Sequence, residues 1–227
     1  NTGPTGWTGT TGTTGPLGVG GGEAFMVAVG QGTNTLAYSF NGIQWIGLGT
    51  SVFTSLGYSV AWNGSLWVAV GGGSGGATIA TSPDGITWTA RSSQWTPGTL
   101  AAKSVAWNGS LWVVGGQGTA VPNLATSPDG ITWTGRSSGL GTAGAVAVAW
   151  NGWMWVAVGG TGGFSDTIVY SYDGINWNGA GSPFDNFDGG GGVAWNGSLW
   201  VAVGGGSSHT IATSPDGINW TGRGRTI

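Results

Sequence analysis

Short apolar runs broken by glycine-rich turns set the pattern of this chain. In Val60-Ala61-Trp62-Asn63-Gly64-Ser65-Leu66-Trp67-Val68-Ala69-Val70-Gly71 the first run stops at Asn63-Gly64, the strongest short-range signal for a hairpin. The returning run places Leu66, Val68 and Val70 on one side and Trp67 and Ala69 on the other, which predicts a strand buried on both faces. Residues 78–81 predict a third strand, Pro83-Asp84-Gly85 a turn, and Ile86-Thr87-Trp88-Thr89 a fourth strand. No stretch sustains a 3.6-residue apolar period, so helices are not expected.

The pattern recurs. The first block returns over 104–115, 148–159 and 193–204, and its leading tryptophans, Trp62, Trp107, Trp150 and Trp195, are spaced by 45, 43 and 45 residues. The second block, Ser82-Pro83-Asp84-Gly85-Ile86-Thr87-Trp88, returns over 127–133, 171–177 and 214–220. A weaker first copy consists of Met26-Val27-Ala28-Val29-Gly30 and Ser39-Phe40-Asn41-Gly42-Ile43-Gln44-Trp45. Units of about 43 residues, whose second strands need a sheet on each side, predict an all-β fold, a five-bladed β-propeller of four-stranded antiparallel blades. The blades are expected over 19–54, 55–99, 100–142, 143–187 and 188–227. A two-sheet sandwich would leave alternate residues of each strand wet, and a β-helix needs shorter repeats. Val19-Gly20-Gly21-Gly22 makes a poor inner strand, which leaves the closure of the ring open.

The repeated unit resembles the sialidase-like repeat proteins of microbes, and its second block is similar to the Asp-box of sialidases, with Asp84 and Gly85 adjacent where the Asp-box spaces them by one residue. That resemblance implies propeller blades and says little about activity. It would also imply an arginine triad and a tyrosine–glutamate pair. Arg91, Arg136 and Arg223 instead occupy one repeated position on different units, and Glu23 is the single glutamate. The N-terminal tract differs in kind. Glycine falls at 3, 6, 9, 12, 15, 18 and 21, so residues 1–18 resemble a collagen-like Gly-X-Y tail of the threonine-rich sort found on giant-virus and spore surface proteins. A stalk that trimerises upstream and a linker docked on the propeller are both compatible with it.

Composition narrows the choice of partner. Only 13 of the 227 residues are charged, 5 basic and 8 acidic, too few positive charges for a phosphate-reading surface, so nucleic acid is not an expected partner. Glycine numbers 51 and tryptophan 16; with so many aromatics the chain is not a disordered one. No apolar run approaches the length of a membrane-crossing helix, and no membrane insertion is expected. Zero cysteines exclude disulfides, thiolate metal sites and cysteine nucleophiles. A chain that opens at Asn1 with neither methionine nor a signal-type segment reads as a processed product or a piece of something longer.

The Asn-Gly and Pro-Asp-Gly turns fall on one face and barely vary between units. The loops on the opposite face do vary, and a binding site is expected there. The candidate ligand-binding residues are Phe53, Tyr58, Trp95, Phe164, Asp166, Phe184, Asp185, Phe187, Asp188 and His209. Aromatic rings that cover a sugar face, beside carboxylates that hold hydroxyls, are the composition of a glycan cleft. No catalytic residues, metal site or cofactor are expected: Asp185, Asn186 and Asp188 lack the spacing of a calcium loop, His209 stands alone, and the glycine runs lack a following lysine. Asp84, Asp129, Asp173 and Asp216 are expected to bond their own turn amides. Asn63, Asn108, Asn196 and Asn219 fall in sequons. The reading is a non-enzymatic binding head on an extracellular or virion surface that recognises a glycan or a surface protein. A structural or assembly component of a surface layer is the alternative, and a glycosidase of sialidase-like type is a more distant one.

Overall fold

A computed structural model describes residues 25–72, 77–91, 99–118, 122–141, 144–160, 166–184 and 190–225. Among them every regular element is a strand, and every pairing is antiparallel. The first sheet has three described strands, β1 (Met26–Val29), β2 (Leu36–Ser39) and β3 (Ile46–Gly47). The second runs β4 (Leu56–Trp62), β5 (Trp67–Gly72), β6 (Ile79–Ser82) and β7 (Thr89–Arg91). The third runs β8 (Thr99–Trp107), β9 (Trp112–Gly118), β10 (Leu124–Ser127) and β11 (Thr134–Arg136). The fourth runs β12 (Ala145–Trp150), β13 (Trp155–Gly159), β14 (Ile168–Ser171) and β15 (Asn178–Gly179). The fifth runs β16 (Gly190–Trp195), β17 (Trp200–Gly204), β18 (Ile211–Ser214) and β19 (Thr221–Gly222). Among the described residues, a single bridge, Gly72 to Ala101, links the second and third sheets.

The two repeated turns explain these boundaries. Asn63 Oδ1 accepts the N–H groups of Ser65 (2.9 Å) and Leu66 (2.7 Å), closing a four-residue loop that pairs Trp62 with Trp67. Asn108, Asn151 and Asn196 do the same in the next three sheets. In the second turn Ser82 Oγ accepts the N–H groups of Asp84 and Gly85, and Asp84 Oδ1 accepts those of Ile86 and Thr87. Trp88 Nε1 then donates to Gly85 O at 3.0 Å. Residues 86–88 are thereby spent on the turn, so the fourth strand starts at Thr89, three residues later than the alternation of Ile86-Thr87-Trp88-Thr89 predicts. Gly85 has φ +74°, and a Cβ there would also run into Phe25 and Val27 of the preceding sheet; both conditions demand glycine.

Successive sheets stack face to face. Phe25, Val27 and Leu36 meet Trp67, Ala69 and Ala80 between the first and second sheets; Val68, Val70 and Ile79 meet Trp112 and Val114 between the second and third. The same alternation recurs at the next two interfaces. All residues of β5 and β13 are buried, as expected of strands covered on both sides. The innermost strands β4, β8, β12 and β16 touch in chain order. This is a propeller-like arrangement. Among the described residues, contacts of that extent do not join the fifth sheet to the first, and Val203, whose counterparts Val70 and Val158 are fully buried, is 37% exposed.

Candidate functional site

The variable-face residues divide into four groups. Phe53 and Phe184 are buried in the cores between sheets one and two and between sheets four and five. Leu140 fills the same place between sheets three and four, so Phe53 and Phe184, which the sequence offers as ligand-binding residues, plug the ends of interfaces. Asp166 and His209 share one register position with Asn34. Asp166 Oδ1 accepts Gly181 N–H (2.7 Å), His209 Nδ1 accepts Gly224 N–H (2.9 Å), and Asn34 Oδ1 accepts Gly49 N–H (2.8 Å). Three residue types thus do one structural job, securing the amide just beyond the fourth strand. Their side chains lie across Gly179, Gly222 and Gly47 of that strand, where a Cβ would overlap them. Sequence variation at this position is therefore not a release from the repeat. Trp95, Phe164, Asp185, Phe187 and Asp188 lie outside the described residues.

Tyr58 keeps a different place. It is half-buried on β4, at a register slip between Gly57 and Ser59, with Lys103 Nζ 3.7 Å from its ring centroid.

Among the described residues an exposed aromatic pair lies on the other face, whose turns the repeat makes nearly uniform. Trp153 stands where the other Asn-Gly turns have serine, and Tyr172 stands where the second, third and fifth sheets have proline. Trp153 is 61% exposed and Tyr172 49%. Their ring centroids are 5.0 Å apart with 35° between planes, and Tyr170 meets Tyr172 edge-on at 5.8 Å. The local cause can be read strand by strand. In sheets two, three and five, Thr81, Thr126 and Thr213 accept a hydrogen bond from Arg91, Arg136 and Arg223 on the neighbouring strand at 2.7, 3.0 and 2.8 Å. In sheets one and four tyrosine replaces the threonine, at Tyr38 and Tyr170, and Leu48 and Ala180 replace the arginine. Sheet four thereby gains a row of three aromatic rings. The departures Ser→Trp and Pro→Tyr stand out from the repeat, but on the face whose turns otherwise barely vary.

Polar groups flank the row. Burial pushes the Asp173 carboxyl up, but the N–H and amide groups of Asn176, the N–H of Ile175 and the hydroxyl of Ser171 outweigh it and bring its pKa down to about 2. Asp173 Oδ1 accepts Ile175 and Asn176 N–H at 2.8 Å each, and Oδ2 accepts Asn176 Nδ2 at 2.8 Å. Its charge is thus fixed beside Tyr172 throughout the neutral range. Among the described residues no group of three or more histidine, cysteine or acidic side chains could hold a metal ion, and no helix is long and apolar enough to cross a membrane.

No protein-family model matches the chain, and no curated protein does. Solved structures are similar in fold. A GH74 enzyme of Niastella koreensis aligns at 18% identity with a TM-score of 0.52, over 87% of this chain and 29% of that one. The computationally designed Ika8 protein aligns at 12% identity with a TM-score of 0.54, over 92% of this chain and 60% of that one. The chain thus spans less than two thirds of either structure, and at these identities the likeness concerns the propeller-like fold alone.

Proposed function

We propose that this chain is a non-enzymatic glycan-recognition head, displayed outside the cell or on a virion surface. The exposed Trp153–Tyr172 pair carries the reading. A soluble surface gains nothing from two large bare rings 5.0 Å apart, whereas the apolar face of a pyranose can cover them while its hydroxyls reach flanking acceptors such as Asp173. A glycosidase would need two carboxylates facing each other across a cleft. Among the described residues, Asp84, Asp129, Asp173 and Asp216 are engaged in their own turns, and Asp166 holds the Gly181 amide; Glu23, Asp185 and Asp188 lie outside the described residues. In the same reading the five sheets are five blades of a ring, closed by setting Val201, Val203 and Ile211 of the fifth against Met26, Ala28 and Ala37 of the first. The Gly-X-Y tract would serve as the end of a stalk.

Glycan-array binding followed by saturation-transfer measurements tests the proposal. Trp153→Ala or Tyr172→Ala should weaken the best glycan about tenfold, equivalent to about 1.4 kcal/mol of lost stacking. An array without signal, or binding indifferent to both substitutions, would refute it. A stable complex with a protein partner that is independent of sugar would select an assembly role in its place.

A further inference from the structure

The innermost strands share an irregularity that the repeated sequence does not announce. Register slips fall between Gly57 and Ser59 in β4, Ala102 and Ser104 in β8, Ala145 and Ala147 in β12, and Gly190 and Gly192 in β16. Each leaves one residue out of the ladder: Tyr58, Lys103, Val146 and Gly191. A bulge breaks the alternation of side chains and re-aims the extra one, a device common beside binding sites. Here the bulge is repeated and its residue is not. The preceding position is small in all four, because the adjoining sheet is close. A Cβ on Gly57 would come within 2.6 Å of Thr35 O, and one on Gly190 within 2.6 Å of Val158 Cβ. Packing therefore dictates the neighbour and leaves the bulged side chain free to serve another purpose.

Two of these side chains are held together. Ser59 Oγ accepts Val105 N–H at 3.3 Å and Ser104 Oγ accepts Val148 N–H at 3.1 Å, tying β4 to β8 and β8 to β12 directly beside their bulges. Lys103 is the only lysine in the chain; its ammonium lies 3.7 Å from the Tyr58 ring centroid, and both residues are half-buried. A cation over a ring face is stabilised without spending all three N–H donors. Among the described residues no carboxylate pairs with this ammonium. It is an oriented, partly desolvated positive charge in a chain of net charge −3. Val146 holds the same bulge position on the following inner strand, and Gly191 on the one beyond it.

We infer that Tyr58 and Lys103 form a seat for a small organic carboxylate, with an acidic sugar such as a uronate as the ligand class. Lys103 supplies the charge and the donors, and Tyr58 fixes the direction of the ammonium. The seat lies toward the ends of the strands away from the Asn-Gly turns, so it stands or falls independently of the Trp153–Tyr172 surface.

The single lysine makes the test direct. With lysine 13C-labelled in the full 227-residue chain, Lys103 contributes the only lysine side-chain signals. Glucuronate should shift them saturably, and glucose, with the same ring and no carboxylate, should not. By calorimetry Lys103→Gln should weaken glucuronate at least tenfold, Tyr58→Leu severalfold, and Lys103→Arg only slightly; circular dichroism of each variant confirms that the sheets remain. Equal shifts from glucuronate and glucose, equal shifts from glucuronate and chloride, or tighter binding of inorganic phosphate than of glucuronate would each overturn the inference. So would unchanged affinity in folded Lys103→Gln.

Discussion

His209 and Gly222 offer a sharp test of how the repeats are built. The His209 ring lies across Gly222, so the methyl group of a Gly222→Ala variant would overlap its Cγ, Cδ2 and Nε2 atoms. The imidazole must then swing away and release the Gly224 N–H that it accepts at 2.9 Å. That bond contributes about 1 kcal/mol, and residual crowding takes the expected cost of Gly222→Ala to about 1–2 kcal/mol. His209→Ala alone should cost about 1 kcal/mol for the same lost bond. The second sheet already contains the double replacement: Ala77 stands in the place of His209, and Ala90, paired with Ala80 as Gly222 is with Ala212, in the place of Gly222. His209→Ala with Gly222→Ala should therefore be no less stable than His209→Ala. The second replacement should recover about 0.5 kcal/mol, since alanine restricts the unfolded chain more than glycine does. Urea unfolding of the four proteins gives a coupling energy, expected at about 1–2 kcal/mol. Simple additivity would show that the ring does not occupy the space above Gly222 and would refute the reasoning.

Acid should weaken the fold in a defined window. Asp84, Asp129, Asp173 and Asp216 are all held below the ordinary carboxylate pKa, so the unfolded chain takes up protons first as pH falls. Their stabilisation should be complete above about pH 5 and drain away toward pH 2 and below, as thermal unfolding between pH 6 and pH 2 would reveal; a flat profile there would contradict the turn chemistry. The closing seam can be probed with Val203→Glu. Burial of an unpaired carboxylate against the first sheet should cost about 2–4 kcal/mol, against about 0.5 kcal/mol on an open surface, so a cost at the lower figure would count against a closed five-bladed ring.

The sequence alone determined the repeat, the strand class and the face-to-face burial of the second strands. Each is a local or periodic property: Trp67-Val68-Ala69-Val70 is apolar on both sides whatever its neighbours, and Asn63 and Asp84 bond amides two and three residues away. The site was far less legible. Phe53 and Phe184 look like loop aromatics until the stacked sheets are seen to close over them, and Asp166 and His209 look like departures until strand pairing shows each reaching an amide 15 residues distant. Trp153 and Tyr172 lie 19 positions apart and become neighbours only because the antiparallel ladder of β13 and β14 brings their turns together. The contact of Lys103 with Tyr58 needs two sheets and two bulges. Local hydrogen bonding and hydrophobic period are written in the order of residues, whereas juxtaposition depends on register and on the packing of one sheet against the next, which only the folded chain decides.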